Sequence, residues 1–154
     1  MERLWSPWRL AYVTSTSKPP DGCIFCAVSA PGAGSQGDPH RDSLVLVHGR
    51  DCYVILNLYP YNNGHLMVVP RRHMASLTLA TAEELTEMMQ FTRDAEAALT
   101  ESYRPQGINV GINLGQSAGA GIADHMHIHL VPRWTGDTNF MSVVGNTRVL
   151  PEDL

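Results

Sequence analysis

The segment Asp124-His125-Met126-His127-Ile128-His129-Leu130-Val131-Pro132 sets three histidines at alternate positions. On a β-strand alternate side chains share a face, so the imidazoles would project to one side at about 6.6–7 Å intervals while Met126, Ile128 and Leu130 enter a core on the other. Three aligned imidazoles cost desolvation and repel one another when protonated, so a chemical use is expected of them. Two chemistries suit such a row. Neutral imidazoles could bind a metal, a His-x-His pair plus a third histidine giving a catalytic zinc with an open position. Alternatively, one imidazole is a nucleophile whose neighbours fix its tautomer and donate protons to an anionic substrate. The second chemistry needs a phosphate cradle. Asn113-Leu114-Gly115-Gln116-Ser117-Ala118-Gly119-Ala120-Gly121 stands just upstream, where small residues let backbone N–H groups approach oxygens closely.

A second constellation is Cys23-Ile24-Phe25-Cys26, two of the three cysteines in the chain. In a reducing compartment such a pair points to metal or redox chemistry before a structural disulfide, although a closed zinc site needs four ligands and only two are local. Cys52 reads as a half-buried strand residue. His40 falls in a loop and reads as solvated, and His48, beside Gly49, as a structural strand-end residue.

The elements that must position these groups are visible in the patterning. Short β-rich runs at 44–48, 53–58 and 66–69 are separated by turn-forming Gly49-Arg50-Asp51 and Tyr59-Pro60-Tyr61-Asn62-Asn63-Gly64, and read as an antiparallel meander. Leu85, Met88, Met89, Thr92, Ala95, Leu99 and Tyr103 recur at three- and four-residue steps, predicting a helix over 81–103 with both methionines filling the core. Thr81 with Glu84 forms a capping box, Glu83 adds negative charge at the N-terminal end, and Pro105 stops the far end. Strands at 108–114 and 126–131 complete five, with connections too short for parallel crossovers. The expected fold is therefore α+β: a five-stranded antiparallel sheet with one long helix and a short one. Residues 1–22 read as an N-terminal arm whose Trp5 and Trp8 must pack on this domain or on a second copy. Residues 23–154 read as one domain, in which the Gly- and Pro-rich stretch 30–42 is a mobile loop.

Composition limits the rest. The 154 residues suffice for one domain with a substantial core, and 44% are hydrophobic. The net charge of −4 and the lack of a basic run argue against long nucleic acids as partners. The charged, proline-containing start is unlike a signal peptide, and no run of about 18 apolar residues offers a membrane span, so a soluble cytoplasmic protein is expected.

The run His125-Met126-His127-Ile128-His129-Leu130-Val131 resembles the His-x-His-x-His-apolar-apolar signature of the histidine triad (HIT) superfamily of nucleotide hydrolases and transferases. Asn57 and Gly64-His65-Leu66-Met67-Val68-Val69-Pro70-Arg71-Arg72-His73 are similar to the earlier block of that superfamily. Trp5-Ser6-Pro7-Trp8-Arg9, Ser117-Ala118-Gly119-Ala120-Gly121 and Val131-Pro132-Arg133-Trp134-Thr135-Gly136-Asp137-Thr138-Asn139-Phe140 resemble the branch of bacterial diadenosine tetraphosphate phosphorylases and related hydrolases. The resemblance implies a HIT-like fold that dimerises, and nucleotidyl transfer through a covalent nucleotidyl-histidine at His127. Under it His129 and His65 would bind phosphate and assist departure of the leaving group. Gln116 and Ser117, with backbone N–H groups near Asn113 and Gly119, would hold non-bridging oxygens, and Asn57 would touch the ribose. Cys23 and Cys26 would be joined by His73 and His125 around a structural zinc, with no metal needed for the chemical step. Two rival readings are a zinc-dependent hydrolase using His125, His127 and His129 or His65 as ligands, and a nucleotide-binding module without turnover.

Overall fold

The computed structural model describes residues 22–29 and 44–137, so almost all of the expected arm, the 30–42 loop and His40 lie outside the described residues. Helix α1 spans Ile24–Ser29 and α2 spans Ala82–Tyr103; the strands are β1 Val45–His48, β2 Cys52–Leu56, β3 Leu66–Pro70, β4 Gly107–Ile112 and β5 Ile128–Arg133. All pairings are antiparallel, in the order β1-β2-β3-β5-β4. The first three strands form the expected meander. The last then inserts between β3 and β4, which sequence patterning did not reveal.

The sheet is covered on both faces. Val54, Leu66, Val68, Met126, Ile128 and Leu130 pack against Met88, Ala95 and Leu99 of α2. Tyr53, Ile55, Met67 and Val69 meet Phe25 of α1 on the other side. Strands buried on two faces read as continuous apolar runs, as Leu66–Pro70 does. For the same reason Cys52 is fully buried at 0% exposure, where half-burial was expected. The paired methionines are likewise divided: Met88 is 1% exposed and fills the core, whereas Met89 is 59% exposed. Adjacent helical residues point about 100° apart, and the stripe facing the sheet admits only the first. No helix among the described residues is long and apolar enough to cross a membrane.

The capping box forms as expected. The Thr81 hydroxyl accepts from the Glu84 N–H at 3.2 Å, and the Thr81 N–H donates to Glu84 Oε2 at 2.8 Å. Arg72 adds a bidentate grip on Glu84, Nε to Oε1 at 2.8 Å and Nη2 to Oε2 at 2.7 Å. The Arg72 guanidinium, followed by the Thr81 N–H, holds the Glu84 carboxyl down to about 2. A carboxylate with a lowered pKa contributes stability above its ordinary value near 4.5, and that stability is lost as pH falls toward 2. Glu84→Gln should therefore lower the urea midpoint at neutral pH and flatten its decline between about pH 4.5 and 2. Equal acid limbs in the two proteins would contradict this assignment.

Candidate active site and metal centre

The order β3-β5 brings two distant histidines together. Met67 is opposite His129 and Val68 opposite Ile128, so His65, at the entrance to β3, lies beside β5. His65 Nε2 and His129 Nδ1 are 2.9 Å apart. Their protons can be assigned from the remaining partners. His65 Nδ1 accepts from the Tyr61 N–H at 3.0 Å and from Asn57 Nδ2 at 3.2 Å. The Asn57 amide is itself oriented, because its Oδ1 accepts from the Tyr59 N–H at 2.9 Å. A neutral imidazole that accepts at Nδ1 carries its proton on Nε2, so His65 donates to His129 Nδ1, and His129 in turn carries its proton on Nε2.

His127 has the same tautomer logic with a different partner. Its Nδ1 donates to the carbonyl oxygen of His125 at 3.0 Å, which leaves Nε2 with its lone pair. The rings of His127 and His129 lie with centroids 4.6 Å apart, near perpendicular at 73°. Burial pushes both imidazoles below their ordinary value, His129 to about 4 with the His127 charge as a second cause. Both are thus neutral at neutral pH, an electron-pair donor next to a hydrogen-bond donor. Phe25 closes the site from α1, its ring 4.9 Å from that of His127 and 5.4 Å from that of His125.

The opposite wall is open. On β4 Gly111 faces His129, and the register continued by one residue sets Asn113 beside His127. A Cβ built on Gly111 would meet nothing within 4 Å, so a bare shelf adjoins the histidines. Beyond it Gln116 and Ser117 sit exposed in a 3-10 turn, Gln116–Ala118, and neither side chain bonds to the histidines among the described residues. Gly119 follows at φ 87°, a left-handed position that a side chain would strain, with Asn113 Nδ2 4.0 Å from where its Cβ would lie.

The first triad histidine turns to other company. His125 Nδ1 lies 3.2 Å from Cys23 Sγ and 3.6 Å from Cys26 Sγ, and His73 Nδ1 lies 3.4 Å from Cys26 Sγ. The ligand atoms of all four residues fall within 4.8 Å of one another. Around a tetrahedral zinc, bond lengths of about 2.0–2.3 Å imply ligand separations of about 3.3–3.8 Å, close to those seen. His125 Nε2 donates to the Pro70 carbonyl at 2.8 Å, which fixes the tautomer with Nδ1 unprotonated and aimed at the thiols. Burial, with Cys23 as a second cause, pushes the Cys26 thiol up to about 11, so a bound cation has to displace a proton. This Cys2His2 cluster can hold a metal ion. It also divides the triad, since the zinc-hydrolase reading needs His125 to converge with His127 on one ion.

Every histidine and cysteine selected from the sequence therefore falls in one of two adjoining clusters. Phe25 and the carbonyls of Pro70 and His125 join them without being candidates from the sequence. Phe25 stood in view between the two cysteines, but backbone acceptors carry no residue-type signal. His48 stays outside both clusters, at 3.2 Å from Arg71 Nη2.

Comparison with known proteins agrees with this geometry. The family model described as HIT domain matches residues 38–136. The AP-4-A phosphorylase of Mycobacterium tuberculosis is 41% identical over 152 residues, covering 99% of this chain and 78% of that protein. The asymmetrical bis(5'-nucleosyl)-tetraphosphatase of Schizosaccharomyces pombe is 32% identical over 82 residues, 53% of this chain and 44% of that protein. Among solved structures, a Zn-bound histidine triad family protein from Mycobacterium smegmatis superposes with a TM-score of 0.61 at 28% identity, covering 75% of this chain and 78% of that one. With its sheet order, its split histidine row and these relatives, the chain belongs to the HIT family.

Proposed function

We propose that this chain cleaves dinucleoside polyphosphates such as diadenosine tetraphosphate by nucleotidyl transfer through His127. The observation that carries the reading is that His127 Nδ1 is engaged by the His125 carbonyl and His129 Nδ1 by His65, which assigns a free lone pair to His127 Nε2 and a proton to Nε2 of the adjacent His129 ring. In the first step His127 Nε2 attacks the α-phosphorus; a P–N bond forms as the P–O bond to the nucleotide leaving group breaks. The ring keeps its Nδ1 proton and becomes a cation, shared with the His125 carbonyl that already accepts that proton. His129, oriented by His65, donates its Nε2–H to a phosphate oxygen, and donors placed where charge develops are worth the most in a water-poor site. In the second step an oxygen of the acceptor displaces the imidazole, whose electron pair returns to Nε2.

The open shelf of Gly111 offers room for the phosphates, and Asn113, Gln116, Ser117 and the backbone at Gly119 are the candidates to hold them. Asn57, beside His65, is the candidate ribose contact. The likeness to an AP-4-A phosphorylase favours inorganic phosphate over water as the acceptor. Cys23, Cys26, His73 and His125 would hold a structural zinc, which when bound supplies a cross-link between the start of α1, the segment after β3 and the segment ahead of β5. A reducing cytoplasmic setting keeps such thiols available. A homodimer is supported by the exposed Met89 on α2 and Val110 on the edge strand β4.

The test is incubation with diadenosine tetraphosphate with and without phosphate, products being separated by chromatography. ADP plus ATP formed only with phosphate is the expected result. AMP plus ATP would make water the acceptor, and nucleotide binding with no product would overturn the enzymatic reading.

A further inference from the structure

The tautomer chain that ends at His129 begins at two donors to His65 Nδ1, the Asn57 amide and the Tyr61 N–H, and the second, the shorter of the two, is only as well defined as the loop that presents it. That loop is fastened at one side chain. Asn62 is 2% exposed, and its Nδ2 donates to the Pro132 carbonyl at 2.9 Å and to Asp137 Oδ2 at 3.1 Å. Pro132 lies on β5 three residues beyond His129, so the loop is tied to the strand that carries His129. Asp137 is held in turn by Arg133, through Nε to Oδ2 and Nη2 to Oδ1, and by the Trp134 N–H at 3.4 Å. Arg133 reaches on to Asn109 Oδ1 of β4 at 3.0 Å. The backbone of the turn closes on the same residue, with the His65 N–H donating to the Asn62 carbonyl at 3.2 Å. Gly64 sits at φ 72°, where a side chain is strained, and a Cβ there would press within 3.1 Å of Leu99 Cδ2 and 3.3 Å of Pro132 Cγ. The turn is thus clamped between α2 and β5 immediately ahead of His65.

We propose that Asn62, anchored through Asp137 and Arg133, is a positioning residue that sets the tautomer of the His65–His129 pair. Its part in turnover rests on the nucleotidyl-transfer reading above; its part in proton placement does not. With the latch closed, the Tyr61 N–H meets His65 Nδ1, and the proton stays on Nε2 of both rings. With it open, His65 Nδ1 keeps only the longer bond from Asn57 Nδ2, and the ring exchanges between tautomers. In the wrong one His65 Nε2 is an acceptor, His129 turns its proton inward from Nε2 to Nδ1, and the phosphate loses its donor. A buried asparagine serving only to close a loop would contribute stability and leave the ring protons unchanged.

The experiment uses the full chain, 15N-labelled, and reads imidazole proton placement by long-range proton–nitrogen correlation NMR, alongside kcat and KM for diadenosine tetraphosphate. Wild type should show single Nε2–H tautomers for His65 and His129. Asn62→Ala should show both tautomers of His65, with kcat down at least about tenfold and KM within about twofold, as expected when orientation is lost and binding is kept. Met88→Ala, a core truncation away from the latch, should lose stability with both tautomers intact. Should Asn62→Ala fail to fold, Asp137→Asn is read by the same criteria, with a second His65 tautomer and a kcat loss of about threefold expected. Unchanged tautomers in the latch variant, or the same tautomer mixing in Met88→Ala, would overturn the proposal. A wild type without turnover would sink the functional reading instead, and the spectra alone would then decide the latch.

Discussion

Replacing His127 by asparagine is expected to lower kcat for dinucleoside polyphosphate cleavage by at least about 10⁴-fold, because the covalent route disappears with its nucleophile. Asparagine keeps a short polar side chain beneath Phe25 and offers no ring nitrogen at the Nε2 position. Nucleotide affinity should stay within a few-fold, since the phosphate donors of His129 and the shelf beside Gly111 are untouched. His129→Asn, by contrast, should cost about 10²–10³-fold, the range for removing one preorganised donor while the nucleophile remains. The order of the two effects is the informative part. A general-base role for His127, or a metal held by the row, would give losses of similar size at both positions. Steady-state kinetics with isothermal binding of AMP on the same preparations separates these cases.

Removal of metal is expected to act on stability first and on turnover only afterwards. Cys23 and Cys26 belong to the turn that brings Phe25 onto His127, and His125 supplies the carbonyl that fixes the His127 tautomer. On the proposed reading, a metal in the cluster would act on His127 only indirectly, through Phe25 and the His125 carbonyl. In small zinc domains metal binding is worth about 10–16 kcal/mol because it supplies the fold. Here the sheet has two apolar clusters of its own, and a smaller share is expected, read as a drop in Tm of at least about 5 °C on chelation. Cys26→Ser should lower Tm to a similar extent, bind zinc weakly, and be insensitive to the chelator. At a temperature where the stripped protein remains folded, initial rates should stay within about threefold of the untreated enzyme. Immediate and complete loss of turnover in folded, chelated protein would instead support a catalytic zinc.

How far these features could be read from the sequence depended on whether they were local. Alternation around His127 placed Met126, Ile128 and Leu130 in the core, as found, because the period of a strand is written in its own residues. The Thr81–Glu84 cap was equally local and is present. Element boundaries depend on distant partners: the strand expected from residue 126 begins at Ile128, the Met126 N–H donating instead to the Met74 carbonyl at 2.8 Å. A periodic run of apolar types does not say how wide the covered stripe is, so Met89 reads as core although it is exposed.

Long-range placement was carried by resemblance and not by spacing. Nothing in the chain between Cys23 and His125, separated by 102 positions, states that their ligand atoms lie 3.2 Å apart. The insertion of β5 beside β3, which brings His65 to His129, is likewise a property of the folded sheet. Backbone partners were invisible for a simpler reason: the carbonyls of Pro70 and His125 and the N–H of Tyr61 select tautomers, yet any residue could have supplied them. Asn62 was legible as a turn residue and nothing more, because its value lies in Pro132 and Asp137, seventy and seventy-five positions away.

The most direct test of the central claim is to trap the intermediate. Wild-type protein mixed briefly with diadenosine tetraphosphate labelled at the α-phosphorus and quenched in alkali, where phosphoramidates survive, should carry label on one peptide containing His127. Its mass should rise by one adenylyl group, and His127→Asn should carry none. Robust turnover with no label on the chain at any quench time, or label that persists on the His127→Asn protein, would contradict the account.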